Sequence, residues 1–408
     1  MKIGIVGAGK LGMPVALAIE SKGHEVEVYD INPATSGYLD GTIPYPHQEE
    51  GIEELLANNH VKAAESIGEL VAGKDIVFCA IQTPHEERFE GTTRLPEDRA
   101  DFDYTFLKQA VTDIVDASEK TTLAVISTCL PGTYEREIKP LLNDKIDYVY
   151  NPLYIAMGTV VMDYLHPEFV LIGQESPEAA DKLANFYTTI NNKPHVVTDI
   201  TTAEGIKVSY NTWITAKTVI ANAWGEMAHK TGMNFDDILK AWKLSTKRLI
   251  SPRYMDSGVS DGGGCHPRDN IALSHIAKQV NMSHNIWEDL MEAREDHMAW
   301  LADIVLEESE VWNLPVIILG RSFKPETNIE TGSPSILMAN ILKENGLEFE
   351  HVEDYEEKLP KAVYVIGTNH ERYKELDIPP DSVVVDPFRQ QPDRNKVTTI
   401  RIGGKIQS

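Results

Sequence analysis

The chain has 408 residues, of which 42% are hydrophobic and 25% charged, the make-up of a folded protein long enough for two or three domains. Sixty-three Asp and Glu against 38 Lys and Arg leave a net charge of −25. That excludes general binding to nucleic acid or an anionic membrane, which needs a basic face, but leaves room for a local basic pocket around one phosphorylated ligand. No apolar run is long enough to predict a membrane span, and the first residues enter a strand pattern without a signal peptide. Three cysteines (Cys79, Cys129, Cys265) are too few for a disulfide framework, so the expected setting is cytoplasmic.

In chain order, Lys2–Gly7 is a short apolar run ending in glycine, Pro14–Ser21 reads as a helix and Glu25–Tyr29 as a second strand. Strand patterns recur at Ile76–Ala80, Thr122–Ser127, Tyr148–Tyr150 and Phe169–Gly173, with a helix at Thr105–Ala117. That alternation predicts a parallel sheet with crossover helices. His85–Asp101 is a polar connection long enough to be a functional or mobile loop. From Ala203 the period becomes helical, through Ala203–Thr231, Phe235–Lys247, Ile271–Val280 and Asn285–Glu308. Strands return at Val316–Gly320, Phe349–Val352, Ala362–Ile366 and Ser382–Val385, with a helix at Ser335–Glu344. The fold class expected is α/β: two Rossmann-like parallel-sheet domains joined by a central helical domain with a long helix. The parts run 1–200, 201–305 and 306–408. No solenoid repeat or low-complexity tract is present.

Gly7-Ala8-Gly9-Lys10-Leu11-Gly12 matches G-x-G-x-x-G between a strand and a helix, the context that gives the pattern meaning. Gly7 allows the tight turn, Gly9 lets a pyrophosphate approach the backbone and Gly12 lets helix and strand pack closely. The helix N-terminus then faces the phosphates. Asp30 ends the second strand, where a carboxylate accepts a ribose diol and repels a 2′-phosphate. NAD rather than NADP is the expected cofactor.

Gly262-Gly263-Gly264-Cys265-His266-Pro267-Arg268-Asp269 interrupts the helical middle. The glycines would let a ligand lie against the backbone. A thiol near the start of the helix expected from Asn270, beside Arg268, is a candidate nucleophile for thiohemiacetal chemistry. His266 could serve as the base of a Cys–His hydrolase, although adjacent residues rarely pair in that way. The loop has too few Cys and His for zinc, and no metal is expected. Glu204, Lys207 and Asn211 share one helical face, a pattern that is also met on plain solvated faces. Cys79 and Cys129 lie in or beside apolar strands and read as core.

Together these segments resemble the UDP-glucose/GDP-mannose dehydrogenase family. The opening fingerprint matches. Tyr45-Pro46 and Gly51–Leu56 resemble Y-E-P-G-L-x-E-L-L, Gln82-Thr83-Pro84 resembles V-x-T-P, and Ser127–Thr133 resembles S-T-V-x-P-G-T. Ala203-Glu204 with Lys207 and Asn211 resembles A-E-x-x-K-x-x-x-N, Gly262–Asp269 resembles G-G-x-C-x-P-K-D, and Phe323–Thr327 resembles F-K-x-x-T. The resemblance implies NAD-dependent oxidation of a nucleotide sugar's C6 alcohol. Cys265 would attack the aldehyde from the first oxidation, a second hydride loss would leave a thioester, and water would cleave it. Lys207 and Asn211 would hold the oxyanion, Asp269 would orient that group or a water, and Thr128 would touch water or substrate near C6. Thr83, Thr128 and Arg268 would meet NAD, with Gly7, Gly9, Lys10, Leu11, Gly12 and Asp30. Lys324, Arg253, Gly262 and Gly263 would meet the sugar nucleotide. The middle helices would form a homodimer.

The chain departs from the family at Asn151–Gly158, where S/N-P-E-F-L-x-E-G becomes N-P-L-Y-I-A-M-G, so that Leu153 and Met157 replace two glutamates. Thr331 stands where the family's arginine meets the cofactor, and the family's Asn-Glu pair is Asn222-Ala223. An apolar side chain cannot move protons. Slow hydrolysis, or release at the aldehyde, is therefore expected, with a catalytically weak NAD- or nucleotide-sugar-binding protein as the rival reading.

Overall fold

A computed structural model of the chain describes residues 1–84, 86, 88, 97–263, 265–325, 327–355 and 358–404. Much of the expected loop at His85–Asp101 lies outside the described residues, as do Gly264 and Glu326. The chain divides into two compact units, Met1–Ala216 and Lys217–Ser408.

The first unit carries strands β1 (Lys2–Val6), β2 (Glu25–Tyr29), β3 (Lys62–Ala63), β4 (Ile76–Cys79), β5 (Thr121–Val125), β6 (Ile146–Tyr150), β7 (Val170–Gln174) and β8 (His195–Thr198). Its helices are α1 (Gly12–Glu20), α2 (Thr35–Leu39), α3 (Ile52–Asn58), α4 (Ile67–Val71), α5 (Thr105–Ala117), α6 (Val160–Leu165) and α7 (Pro177–Ile190). The long α8 (Ile200–Thr231) begins in it. The sheet order is β3-β2-β1-β4-β5-β6-β7-β8. The first six strands are parallel, while β7 meets β6 antiparallel and β8 runs with β7. The chain leaves β6 and re-enters at the same end of the sheet, so the last two strands run the other way.

Helices cover both faces, and the central strand β4 is accordingly apolar and buried throughout, while the flanking β2 alternates glutamate with valine. Ile76 and Phe78 of β4 enter the core under α1, α6 and α7, and the alternate Val77 and Cys79 enter the core under α4 and α5. Cys79 and Cys129 are both buried, as expected of core thiols. Burial pushes the Cys79 thiol up to about 12.

The second unit contains α9 (Phe235–Leu244), α10 (His266–Gln279), α11 (Ile286–Trp312), β9 (Val316–Leu319), α12 (Pro334–Glu344), β10 (Phe349–Val352), β11 (Val363–Ile366), β12 (Val383–Asp386) and β13 (Thr398–Arg401). Its sheet, β10-β9-β11-β12-β13, is parallel throughout. Met298, Leu301, Ala302 and Val305 of α11 pack with Met338 and Leu342 of α12 on the inner residues of β9, β11 and β12. Trp287 of α11 joins Met227 and Ala277 in a smaller helical core.

The two sheets open with the same turn. Gly7 has φ +93° and its N–H donates to the Tyr29 carbonyl, while Gly320 has φ +98° and its N–H donates to that of Val352. Asp30 accepts the Ala8 N–H at 2.7 Å, and Glu353 accepts the Arg321 N–H at 2.6 Å. In the second copy the acid is saturated. It also meets the Ser322 N–H, the Ser322 hydroxyl, Arg372 and, at 2.7 Å, buried His370. Burial alone would raise the Glu353 pKa, but these donors outweigh it and hold the carboxyl below its usual range.

Candidate active site

The turn after β1 has the geometry a pyrophosphate requires. A Cβ on Gly7 would lie 2.9 Å from the Ala80 carbonyl, and one on Gly12 would lie 1.8 Å from the Gly7 carbonyl oxygen. Both positions therefore exclude any side chain, and Gly12 sets the close packing of α1 on β1. At Gly9 a Cβ would meet no protein atom within 4 Å, so the backbone stays open to a ligand on that side. No side chain caps the N-terminus of α1; the Met13 N–H is taken by the Gly9 carbonyl at 3.1 Å and Pro14 has none, so the Gly12 N–H is the one an anion would meet there. Lys10 is exposed and Leu11 half-buried beside this turn. Asp30 accepts one amide on each oxygen, from Ala8 at 2.7 Å and Asn32 at 2.8 Å. Each oxygen keeps lone-pair capacity for a ribose diol. These residues fit a dinucleotide. Tyr45 was not among the candidates from sequence, yet its hydroxyl donates to the Gly9 carbonyl at 3.3 Å.

Behind this turn, Thr83 and Thr128 are brought together, the Thr83 hydroxyl donating to the Thr128 carbonyl at 2.9 Å. The segment that follows is held by Glu204, which is buried rather than solvated. It accepts the Gly132 N–H at 2.6 Å and the Tyr134 N–H at 2.8 Å. Burial raises the Glu204 pKa against the pull of those amides. One turn along α8, Lys207 is half-buried. Its Nζ donates to the Leu153 carbonyl at 2.6 Å and lies 5.0 Å from the centre of the Tyr154 ring. Burial lowers the Lys207 pKa. Asn211, a further turn along, is exposed. The face that reads as Glu-Lys-Asn thus divides into a buried structural acid, a half-buried cation and an exposed amide.

In the second unit, α10 starts at His266, four residues earlier than expected, with Pro267 in its first turn and Cys265 at the N-cap. Pro suits that position because its missing N–H has no helical partner there anyway. Cys265 is exposed. Asp269 donates its backbone N–H to the Cys265 carbonyl at 2.9 Å. The Asp269 carboxylate takes two bonds from Arg268, at 3.0 and 2.8 Å, and that contact holds the Arg268 pKa up. Gly262 and Gly263 pack on protein. A Cβ on Gly262 would lie 2.8 Å from Pro334, and one on Gly263 would lie 2.9 Å from the Phe323 ring. Lys324 is exposed, its Nζ 5.3 Å from the Phe323 ring centre, so it neighbours this loop. Arg253 is exposed, and its backbone N–H donates to the Ser251 hydroxyl. His266 Nδ1 lies 3.4 Å from Asp261, whose carboxylate is bonded to Arg294. Sequence reasoning flagged His266 but missed both of those partners.

Two sequence models match the chain. Residues 1–191 match the NAD binding domain, and residues 201–295 the central domain, of the UDP-glucose/GDP-mannose dehydrogenase family. The chain is 27% identical over 360 residues to GDP-mannose 6-dehydrogenase of Azotobacter vinelandii, covering 85% of this chain and 80% of that protein. It is 25% identical over 368 residues to UDP-glucose 6-dehydrogenase AglM of Haloferax volcanii, with 85% and 82% covered. Among solved structures, a ternary complex of GDP-mannose dehydrogenase from Pseudomonas aeruginosa superposes with a TM-score of 0.85. It spans 98% of this chain and 99% of that one at 24% identity.

Proposed function

Because the chain belongs to the UDP-glucose/GDP-mannose dehydrogenase family, we propose that it oxidises the C6 primary alcohol of a nucleotide sugar to the carboxylate through Cys265. It is an NAD-dependent oxidoreductase. Bound NAD supplies the hydride acceptor for both oxidations.

The chain's own residues do the rest. Gly7, Gly9, Lys10, Leu11 and Gly12 hold the pyrophosphate, Asp30 holds the ribose diol, and Thr83, Thr128 and Arg268 complete the cofactor contacts. Lys207 and Asn211 hold the oxygen on C6 as it gains charge, and Thr128 contacts the same end of the substrate. The Cys265 sulfur adds to the C6 aldehyde, forming a C–S bond and a thiohemiacetal. Loss of hydride from C6 leaves a thioester. Water then breaks the C–S bond, giving the carboxylate and returning the thiolate, with Asp269 orienting the reacting groups. Lys324, Arg253, Gly262 and Gly263 contact the nucleotide sugar. The working parts are residues 1–200 for NAD, 201–305 for the nucleophile and subunit contact, and 306–408 for the nucleotide sugar.

The observation that carries this reading is Cys265, an exposed thiol on a helix N-terminus that no side chain caps. The test is NADH yield with UDP- and GDP-sugars. Two NADH per sugar, abolished in Cys265→Ser while NAD still binds, is the expected result. One NADH with free aldehyde would favour the early-stopping variant, which the absence of any acid in Asn151–Gly158 supports. No NADH with any sugar would leave only a binding protein.

The same reading includes a homodimer. Phe235, Ile238 and Trp242 line one side of α9 and are half-buried, with Trp242 edge-on to Trp224 at 6.3 Å. Trp213 and Ile214 of α8 are about half exposed, and Leu244 is 74% exposed. Apolar surface of this extent calls for a partner. Among the described residues no helix is long and apolar enough to cross a membrane. A cytoplasmic setting is the companion proposal, supported by three free thiols.

A further inference from the structure

We propose that His266, aimed by Asp261, is the general base that activates water to release the acyl group from Cys265; this rests on the reading of Cys265 as nucleophile. His266 is the first residue of α10, directly after Cys265. Its side chain is 53% exposed, so water reaches it. Its Nδ1 lies 3.4 Å from an Asp261 carboxylate oxygen. Asp261 is itself fixed from α11. Arg294 Nε donates to its other carboxylate oxygen at 3.0 Å and to its backbone carbonyl at 3.2 Å, and Arg294 is largely buried. A carboxylate facing Nδ1 selects the tautomer with the proton there and leaves the Nε2 lone pair for a water proton. The edge of the Tyr254 ring closes another side, 6.5 Å away.

Along the same helix turn, the Asp269 carboxylate is engaged twice by Arg268 through one oxygen. Asn151–Gly158, where the resembled family carries two glutamates, contains no acid. In the step, Nε2 takes one proton from water and the oxygen bonds to the thioester carbonyl carbon. The C–S bond breaks with its electron pair on sulfur, and the imidazolium and the carboxylic acid so formed each give a proton to solvent. No oxidant or reductant is consumed.

The test uses p-nitrophenyl acetate, which acylates a reactive thiol without NAD or sugar. Wild type should show a burst of one p-nitrophenolate per chain, absent from Cys265→Ser, followed by steady deacylation. In His266→Ala and His266→Gln, deacylation should fall about 10²-fold, the usual contribution of a general base. Free imidazole should restore the rate in His266→Ala, and Asp261→Asn should be slowed in the same phase. Deacylation at the wild-type rate in both His266 variants would overturn the proposal. So would a slowed His266→Ala that imidazole cannot rescue, because that marks a structural role. A wild type with no burst would remove Cys265 as nucleophile and the base with it. Absence of NADH from every nucleotide sugar would instead defeat the dehydrogenase reading, and the ester measurements would still decide the base.

Discussion

Lys207 is useful only as a cation, and its burial works against the charge. Burial lowers its pKa, against the Leu153 carbonyl that accepts its proton at 2.6 Å and the Tyr154 ring face 5.0 Å away, both of which favour the cation. The charged form is therefore lost as pH rises through a value below the ordinary lysine range of about 10.4. The rate of NADH formation should fall on that alkaline limb, and Lys207→Arg should move the limb upward. Lys207→Ala should lose roughly two to three orders of magnitude in rate, as for a removed oxyanion donor. An alkaline limb at the ordinary lysine value would contradict the burial argument. At Asp30 the expected outcome is selectivity. NAD should bind at least about tenfold better than NADP, on the order of 1.4 kcal/mol, and Asp30→Ala should narrow the gap. Titrations of both cofactors check it.

At the scale of elements, Glu204 couples α8 to the turn after β5. Two amides, a half-buried one at Gly132 and a buried one at Tyr134, depend on its two oxygens. Glu204→Gln offers one oxygen and points an amide N–H₂ at the other donor, so it should cost about 1–3 kcal/mol, read from urea unfolding. An unchanged midpoint would show that the turn stands without it. This contact also shows where reading by periodicity ends. Helical spacing correctly groups Glu204, Lys207 and Asn211 on one side of α8, but the partners that separate their roles lie some 70 residues away for Glu204 and over 50 for Lys207. The strands β1, β4 and β5 are legible because each carries an apolar run next to glycine or polar turns, and β2 because Glu and Val alternate along it. The two-residue β3 and the five-residue α2 and α4 are too short to show a period. α7 has a start signal readable from sequence, since the Ser176 hydroxyl accepts the Ala179 N–H and Pro177 follows it. The dinucleotide turn was legible because its chemistry is local. The Asp261–His266–Arg294 chain was not, because Arg294 reaches it from another helix.

For the whole molecule, the exposed Trp213 and Leu244 set the expected assembly. Sedimentation equilibrium should show a dimer, and Leu244→Asp with Trp213→Glu should shift it toward monomer. A wild-type monomer at working concentration would end that reading. The net charge of −25 opposes association, so added salt should strengthen the dimer by screening. Glu353 sets the response to acid. Its carboxyl pKa is held low in the folded chain, so its stabilisation is complete above the usual glutamate range and disappears as pH falls through the lowered value. Glu353→Gln should flatten that acid limb in thermal melts.

The repeated turn has a genetic consequence. Asp30 and Glu353 occupy equivalent places in two copies of one design, each following a strand and each taking the amide after a left-handed glycine. The first copy is left open to a small molecule, whereas the second is stapled by Arg372, His370 and Ser322. Lesions at the two acids should therefore give opposite kinds of allele. Loss of Asp30 should produce a folded protein of normal abundance that excess NAD partly rescues. Loss of Glu353 should produce a temperature-sensitive one that no cofactor rescues and that general stabilising substitutions elsewhere suppress.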